Sequence, residues 1–247
     1  MYAIIFMPII PAIGFMLWRS YRIKRIIRHC IQKNKLLLPD IRSPKNMVIV
    51  FDLHGVVFRH DYKKMMRSFW KSPDKWRLLW ATIHPQLWID VFKIARNYTV
   101  PEAFIMQLTK QHETIKQLLP TIIHIMNAQK PHQPTVELIH RLKKEGYHLD
   151  IISNIGETIY KDLEQLFPDI LGLFDTVIVT CAGNGYISKP NPQLYYLYLA
   201  SMRPEHTPLF IDDKIKNIQS ALDCGIASMY YASFDTTMQE LKTLIPL

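Results

Sequence analysis

The chain contains five short apolar runs that are separated by longer segments of mixed polarity. The runs have the length and composition of buried strands and lie at Met47–Asp52, His148–Ser153, Phe174–Thr180, Leu209–Asp212 and Ala227–Tyr231. Amphipathic stretches with helical spacing lie between them, at Pro134–Glu145, Glu157–Phe167, Pro192–Met202 and Ile215–Asp223. Strands that alternate with helices in this way predict a doubly wound α/β fold with a parallel sheet.

One long segment interrupts the alternation after the first strand. Residues 59–133 are rich in aromatic side chains, and the spacing of these side chains mostly suits helices. A segment of this length with its own apolar content predicts an inserted helical subdomain rather than a loop. We therefore divide the chain into an N-terminal segment with a linker at 1–46, an α/β core at 47–58 and 134–247, and a helical insertion at 59–133.

The N-terminal segment has the composition of a membrane-associating helix. Residues 1–18 carry no charged side chain, and as a helix they would span about 27 Å, roughly the hydrocarbon thickness of a bilayer. Residues 19–35 interleave basic and apolar side chains, which suits anionic headgroups. We expect residues 1–35 to contact an anionic membrane surface and, by the positive-inside rule, the remaining chain to lie on the cytoplasmic side. The alternative is a cytoplasmic protein in which residues 1–18 form a buried helix.

The distribution of charge argues against the protein class that the net charge first suggests. The formal net charge is +9, which is typical of nucleic-acid-binding proteins. Residues 1–46, however, hold nine Lys and Arg side chains and one acid, whereas the other 201 residues hold 21 bases and 20 acids. The basic charge therefore belongs to the N-terminal segment, and we expect no nucleic-acid partner.

Polar side chains follow several of the predicted strands. The motif "FDLHG" offers Asp52 and His54, "IISN" offers Ser153 and Asn154, "SKPNP" offers Lys189, and "IDDKIKN" offers Asp212, Asp213 and Asn217. Each motif alone is weak evidence, since an aspartate after a strand is often a helix cap. The carboxyl ends of parallel strands meet at one edge of the sheet, where open α/β folds bind their ligands. The order and spacing of the motifs therefore predict one shared site.

Together these motifs resemble the haloacid dehalogenase-like hydrolase superfamily over roughly residues 47–233. The resemblance implies a Rossmann-like core, with the 59–133 insertion as a cap over the active site. It implies that Asp52 is the nucleophile and that Ser153 and the backbone of Asn154 donate hydrogen bonds to the substrate. It also implies that Lys189 neutralises the clustered carboxylates and the substrate oxygens.

The same resemblance implies a Mg²⁺ ion at the strand ends. Its expected ligands are Asp52, Asp213 and the backbone carbonyl of His54, while Asp212 binds it directly or through water. A hard divalent cation suits this set, because it prefers oxygen ligands and screens a phosphoryl group from an attacking carboxylate. Asn217 is expected to support Lys189 or Asp213. The substrate implied is a small phosphorylated molecule, or a halogenated one for a dehalogenase.

His54 departs from the family pattern and leaves three interpretations open. The phosphatases of the superfamily carry an aspartate at this position, which protonates the leaving group and later activates water. Either His54 takes over this acid–base role, or the enzyme is a haloacid dehalogenase-type C–X hydrolase, or the protein is a weakly active or non-catalytic binding module. A dehalogenase needs no metal, so Asp212 and Asp213 would add unwanted negative charge beside Asp52. The two acids therefore favour Mg²⁺-dependent phosphate-ester hydrolysis through an aspartyl-phosphate on Asp52.

Overall fold

The computed structural model describes residues 25–38, 43–83, 85–87, 89–90, 108–126 and 128–246. Its strands are β1 Met47–Phe51, β2 Phe58–His60, β3 Gln129–Pro131, β4 His148–Gly156, β5 Thr176–Thr180, β6 Thr207–Asp212 and β7 Ala227–Tyr230. Its helices are α1 Tyr62–Lys71, α2 Lys75–Ile83, α3 Glu113–Met126, α4 Gln133–Lys144, α5 Glu157–Leu166, α6 Pro168–Leu171, α7 Pro192–Ser201, α8 Ile215–Asp223 and α9 Phe234–Leu244. Residues 25–37 are also helical.

Five of the strands form one parallel sheet in the order β5-β4-β1-β6-β7. The chain runs from β1 outwards to β4 and β5, then returns to β6 and β7 on the other side, so the winding reverses at β1. Alternate residues of β1 enter two different apolar clusters, Ile49 and Phe51 on one face and Val48 and Val50 on the other. The sheet is thus buried on both faces, and the predicted doubly wound α/β fold is confirmed.

The elements of the core lie where the apolar pattern predicted them, with ends that differ by at most three residues. Besides the four-residue helix α6, two features were not predicted. One is the short antiparallel pair β2–β3, in which His60 lies opposite Gln129. The other is α9, which begins after Ser233, whose hydroxyl accepts a hydrogen bond from the Thr236 backbone. The three-residue strands are too short to show a period of two, whereas the apolar positions of α9 have helical spacing, at Phe234, Met238, Leu241 and Ile245, and were overlooked.

Residues 62–126, which we call the cap, lie between β2 and β3 in the chain. In the described part of this region α1 packs against α2 and α3. The Asp61 carboxylate caps α1 by accepting a hydrogen bond from the Lys64 backbone at 3.0 Å. A small apolar cluster of Ala81, Leu108 and Ile115 forms beside α2. The described part of residues 59–133 is therefore mainly helical, while the predicted domain limits stay a prediction.

The helix at 25–37 packs one face on the α/β core. Ile26 and Cys30 are buried in the apolar cluster of the core that contains Val48 and Val50. Asn34 donates to the carbonyl of Ser228 in β7 at 3.0 Å and accepts from the Ser228 backbone N–H at 2.8 Å. Residues 25–35 were predicted to contact a membrane, but some of their side chains are buried against the protein core instead. Residues 1–24 lie outside the described residues, among which no helix is long and apolar enough to cross a bilayer.

Glu240 of α9 is a carboxylate that lies largely out of water. Burial raises the pKa of Glu240 to about 7, and its Oε1 atom has no hydrogen-bond partner in the described part of the chain. Burial, followed by the charge of Glu240, raises the pKa of the Cys30 thiol to about 12. Ionisation of Glu240 therefore opposes folding, because the charge is poorly solvated in the native state.

Candidate active site

The register of the sheet places Asp52 and Asp212 side by side at its carboxyl edge. Phe51 of β1 pairs with Ile211 of β6, so the residues that follow both strands stand at one level. Both carboxylates are buried, with exposed fractions of 3% for Asp52 and 0% for Asp212. On the opposite side of β1, Phe51 pairs with Ile151 of β4. The switch point of the fold thus collects polar groups from three neighbouring strands, as the sequence predicted.

Lys189 connects these three strands through its ammonium group. Its Nζ atom lies 2.9 Å from Oδ1 of Asp52 and 2.7 Å from Oδ2 of Asp212, and it donates to the carbonyl of Ile152 in β4 at 2.6 Å. Burial alone would lower the pKa of Lys189, but the two carboxylates hold that pKa above its usual value. The ammonium therefore stays charged and neutralises part of the acidic cluster.

Asn154 fixes the position of Lys189 through the peptide backbone. The Asn154 side chain accepts a hydrogen bond from the Lys189 backbone N–H at 2.7 Å and donates to the Lys189 carbonyl at 2.8 Å. The sequence had indicated only a backbone contribution of Asn154 to substrate binding, so this role of its side chain was missed. Ser153 is buried next to Ile152, one residue beyond the carbonyl that Lys189 contacts.

Both carboxylate oxygens of Asp212 accept hydrogen bonds from groups of the protein. Its Oδ1 accepts a hydrogen bond from the Lys214 backbone at 2.7 Å, and its Oδ2 accepts from Lys189 and, at 2.9 Å, from the Asn217 amide. Burial raises the pKa of Asp212, and the positive charge of Lys189 acts in the opposite direction and lowers it. The prediction that Asn217 supports Lys189 or Asp213 was wrong, because its side chain binds Asp212, which lies five residues earlier at the end of β6.

Asp213 is the carboxylate that the protein leaves unsatisfied. Its Oδ1 atom is buried and has no hydrogen-bond partner among the described residues. Burial, together with the charges of Asp52 and Asp212, raises the pKa of Asp213 to about 6. Gly55 provides the space for this side chain, because a Cβ atom built on Gly55 would collide with Oδ2 of Asp213. Gly55 also has a φ of +92°, a conformation that favours glycine.

These residues fit a divalent cation. One carboxylate oxygen from each of Asp52, Asp212 and Asp213 lies within 4.8 Å of the others, so the three side chains can reach one ion. Three carboxylates and the Lys189 ammonium together carry two negative charges in a site that is mostly closed to water. A divalent cation would cancel that charge and provide the missing partner of Asp213 Oδ1. Asp212 is better suited to an indirect contact, because both of its oxygens already accept hydrogen bonds.

His54 follows Asp52 by two residues and is held as a neutral imidazole. Burial, followed by the charges of His60, Lys214 and Lys189, lowers the pKa of His54 to about 4. Its ring lies 5.9 Å from the ring of His60, measured between centroids. A neutral imidazole has one nitrogen free to accept a proton. With a pKa of about 4 the imidazole is neutral but only weakly basic near pH 7, and its acid–base role, like its carbonyl as a metal ligand, stays a prediction.

The fold and the site define a class of protein: a doubly wound α/β protein with a carboxylate–lysine cluster at the switch point of its sheet. Residues 90–231 match the sequence model of the haloacid dehalogenase-like hydrolases. The chain therefore belongs to the haloacid dehalogenase-like hydrolase family, and the resemblance seen in the sequence is confirmed. The matched region includes Lys189, Asp212 and Asp213 but begins after Asp52.

Two characterised relatives share part of the sequence. Bifunctional epoxide hydrolase 2 of Sus scrofa is 26% identical over 121 residues, which are 47% of this chain and 21% of the relative. The chain thus spans about a fifth of that protein. Flavin mononucleotide hydrolase 1 of Arabidopsis thaliana is 22% identical over 213 residues, which are 82% of this chain and 79% of the relative.

Solved structures confirm the fold. The L-2-haloacid dehalogenase of Xanthobacter autotrophicus superposes with a TM-score of 0.50 and 17% identity, over 79% of this chain and 82% of the dehalogenase. A single-residue variant of a family enzyme of Bacteroides thetaiotaomicron, in complex with magnesium and inorganic phosphate, also gives a TM-score of 0.50 at 17% identity, over 75% and 93% of the two chains. At this level of identity the likeness concerns the fold alone.

Proposed function

We propose that the protein hydrolyses phosphate monoesters in a Mg²⁺-dependent reaction with Asp52 as the nucleophile. The observation that carries the proposal is the buried cluster of Asp52, Asp212 and Asp213, in which Lys189 balances only one of three charges. The relation to a plant flavin mononucleotide hydrolase agrees with this substrate class, because flavin mononucleotide is a phosphate monoester. The magnesium and phosphate bound to the Bacteroides enzyme agree with the cofactor.

In this proposal Asp52 attacks the phosphorus atom, and the bond from phosphorus to the ester oxygen breaks. The Asp52 contacts that the structure describes go to Oδ1, which accepts from Lys189 and from the Leu53 backbone at 2.8 Å. The carboxylate is thereby oriented with Oδ2 available for attack. Bound Mg²⁺ would stabilise the negative charge on the phosphoryl oxygens. The leaving oxygen takes up a proton from solvent water, and Asp52 is left as an aspartyl-phosphate.

The second half of the reaction returns Asp52 to its carboxylate form. Water attacks the phosphorus of the aspartyl-phosphate, the bond to Asp52 breaks, and inorganic phosphate leaves. We assign to His54 the proton that water loses, because its imidazole is neutral and belongs to the residue two positions after Asp52. Asn154 holds Lys189 against the carboxylates throughout, and Ser153 donates to the phosphoryl oxygens. These roles agree with the family pattern except at His54.

The acids at 212 and 213 weigh against the dehalogenase interpretation. Displacement of a halide by a carboxylate requires no metal, so a dehalogenase would keep Asp52 beside two further carboxylates without need. Without a cation, burial and then the charges of Asp52 and Asp212 raise the pKa of Asp213. This cost is relieved when a divalent cation binds, which makes phosphoryl transfer the better use of the site.

The decisive experiment compares wild type with Asp52→Asn on p-nitrophenyl phosphate and on 2-chloropropionate, each with Mg²⁺ and with EDTA. We expect Mg²⁺-dependent release of phosphate by wild type and a loss of at least about 10³-fold in Asp52→Asn. Asp150→Asn serves as control, since Asp150 is a buried carboxylate near the start of β4 that accepts from Tyr198 at 2.8 Å.

Each other outcome selects a different interpretation. Equal turnover by wild type and Asp52→Asn would overturn the assignment of the nucleophile. Release of chloride without Mg²⁺ would establish the dehalogenase. If neither substrate reacts but Mg²⁺ still raises the melting temperature, the protein is a binding module that keeps the site.

For cellular location, we propose that residues 1–24 attach the protein to the cytoplasmic face of a membrane.

A further inference from the structure

The cap exposes an unusual amount of apolar surface along two consecutive helices. Six of the twelve large apolar side chains that the structure describes as exposed lie within residues 62–83. On α1 they are Tyr62, Met66 and Trp70, which stand one turn apart and are 71%, 54% and 53% exposed. On α2, Trp76 is likewise exposed, with an exposed fraction of 67%. We call Tyr62, Met66, Trp70 and Trp76 the cap aromatic face.

Basic side chains flank the cap aromatic face. Lys63, Arg67 and Lys71 follow its three α1 members by one residue each, so they form a parallel stripe on the same helix. All three are exposed. Residues 61–83 contain six Lys and Arg side chains and two acids. The surface therefore joins exposed aromatic rings to a local excess of positive charge.

The two acids of this region serve the fold of the cap and do not cancel the basic stripe. Asp61 caps the N-terminus of α1. Asp74 binds Arg77 at 3.1 Å and accepts from Thr121 of α3 at 2.9 Å. Within the described part of the chain, α1 has no buried residue, so its outward side chains are not required for a protein core.

We propose that the cap aromatic face is a docking surface for an anionic lipid bilayer. Tyr and Trp rings prefer the interface between headgroups and hydrocarbon, and Lys and Arg beside them bind anionic headgroups. Charge complementarity selects this occupant over a second copy of the chain. A two-fold interface would place the same basic stripe on both sides, so like charges would meet. This surface is separate from residues 1–35 of the sequence prediction.

The position of the face relates docking to the active site. The ring of Tyr62 lies 6.0 Å from that of His60, and the ring of His60 lies 5.9 Å from that of His54, the residue two positions after Asp52. The cap aromatic face therefore begins at the same side of the molecule as the candidate nucleophile. Docking would hold the approach to the site at the headgroup level of the bilayer.

The test uses a fluorescent reporter in the full chain. Met66→Cys, in a background with Cys181→Ser and Cys224→Ser, carries an NBD label, while the buried Cys30 is kept. We expect the emission to shift to the blue when vesicles of phosphatidylcholine with 30% phosphatidylserine are added, and to stay unchanged with pure phosphatidylcholine. The matched control is the label at Leu197→Cys, an exposed apolar position on α7 of the core.

A charge variant tests the basic stripe with the same reporter. Lys63→Gln, Arg67→Gln and Lys71→Gln together should raise the lipid concentration at half-maximal shift by about 100-fold, since each cation near an anionic surface contributes about fivefold. Circular dichroism checks that the fold is kept. Adding Asp52→Asn should leave the shift unchanged, so the result is independent of the proposed catalysis.

Three outcomes would overturn the proposal. The first is no shift of the label at position 66 with anionic vesicles. The second is an equal shift of the labels at positions 66 and 197, which would assign membrane contact to another part of the chain. The third is a shift at position 66 that grows with protein concentration without lipid, which would identify a second copy as the occupant.

Discussion

Replacement of Gly55 by alanine should remove the metal from the site while the fold is kept. Gly55 has a φ of +92°, and an added Cβ atom would meet the Asp213 carboxylate. The methyl group cannot yield, so Asp213 must rotate away from Asp52 and Asp212. The substitution therefore acts on one proposed metal ligand without changing any charge.

The size of the effect follows from two separate costs. A non-glycine residue with positive φ destabilises the native state by about 1 kcal/mol. Displacement of a ligand should weaken Mg²⁺ binding by about 100-fold, the loss typical when the support of a metal ligand is removed. At a Mg²⁺ concentration of 100 times the wild-type Kd, the ion stabilises wild type by about 2.7 kcal/mol. The variant would gain only about 0.4 kcal/mol from the same concentration.

The assay is urea unfolding with Mg²⁺ and with EDTA, on Gly55→Ala and on Gly225→Ala. Gly225 is a matched control because its φ is +87° and no atom lies within 4 Å of its added Cβ. Gly225→Ala should lose about 1 kcal/mol under both conditions and keep the full response to Mg²⁺. If Gly55→Ala responds to Mg²⁺ as strongly as Gly225→Ala does, the reasoning about Asp213 as a ligand is refuted.

Two further substitutions test the buried charges. In urea unfolding at pH 8, Lys189→Met should destabilise the protein by about 3 kcal/mol, and Mg²⁺ should recover part of this loss. The control is Lys143→Met, which removes a surface pair with Asp175 and should cost under about 1 kcal/mol. Equal losses in the two variants would contradict the argument from burial. Glu240 has a native pKa of about 7, so wild-type stability should fall from pH 4.5 to 7. Glu240→Gln should raise the free energy of unfolding by about 1–2 kcal/mol at pH 8, after allowance for the partial exposure of this side chain, and should leave it unchanged at pH 4. The control is Glu137→Gln at an exposed position. A gain in stability at pH 4 would contradict the assignment.

The order of strands and helices in the core was predictable because local signals agreed with the tertiary fold. Asn191 caps α7 by accepting from the Gln193 backbone at 2.9 Å, as its place before Pro192 predicts. Gly146 and Gly225 follow α4 and α8 with φ of +88° and +87°, as expected of glycines that end helices. Such features are encoded within a few residues of each other, so one sequence reveals them.

The membership of the site was predictable, but its contacts were not. Strand register carries Asp52 and Asp212 to one level, and any parallel sheet with these motifs would do the same. The partner of Asn217, and the pair of hydrogen bonds from the Asn154 side chain to Lys189, depend on rotamers and loop paths. Gly55 was read only as part of a motif, because its contact with Asp213 joins residues that are 158 positions apart.

The helix at 25–37 shows why an amphipathic pattern does not identify its apolar partner. Ile26 and Cys30 lie one turn apart, and a membrane or a protein surface would satisfy them equally. The buried amide of Asn34 decides between the two, because its paired hydrogen bonds with Ser228 require a strand edge. A polar residue on the apolar face was therefore the signal for protein packing, and it was overlooked among the basic residues.

Charge balance also explains how Lys189 and a cation can share one small site. The ammonium contacts Asp52 and Asp212, whereas Asp213 has no cationic partner among the described residues. Lysine alone leaves two negative charges, which would repel a phosphate ester that brings two more. In the proposed function, a divalent ion on the side of Asp213 would make the cluster neutral, so that a dianionic ester could approach Asp52. Because the proposed substrate is a dianion, we expect Lys189 to neutralise part of the charge of Asp52 and Asp212 and a divalent ion to bind at Asp213.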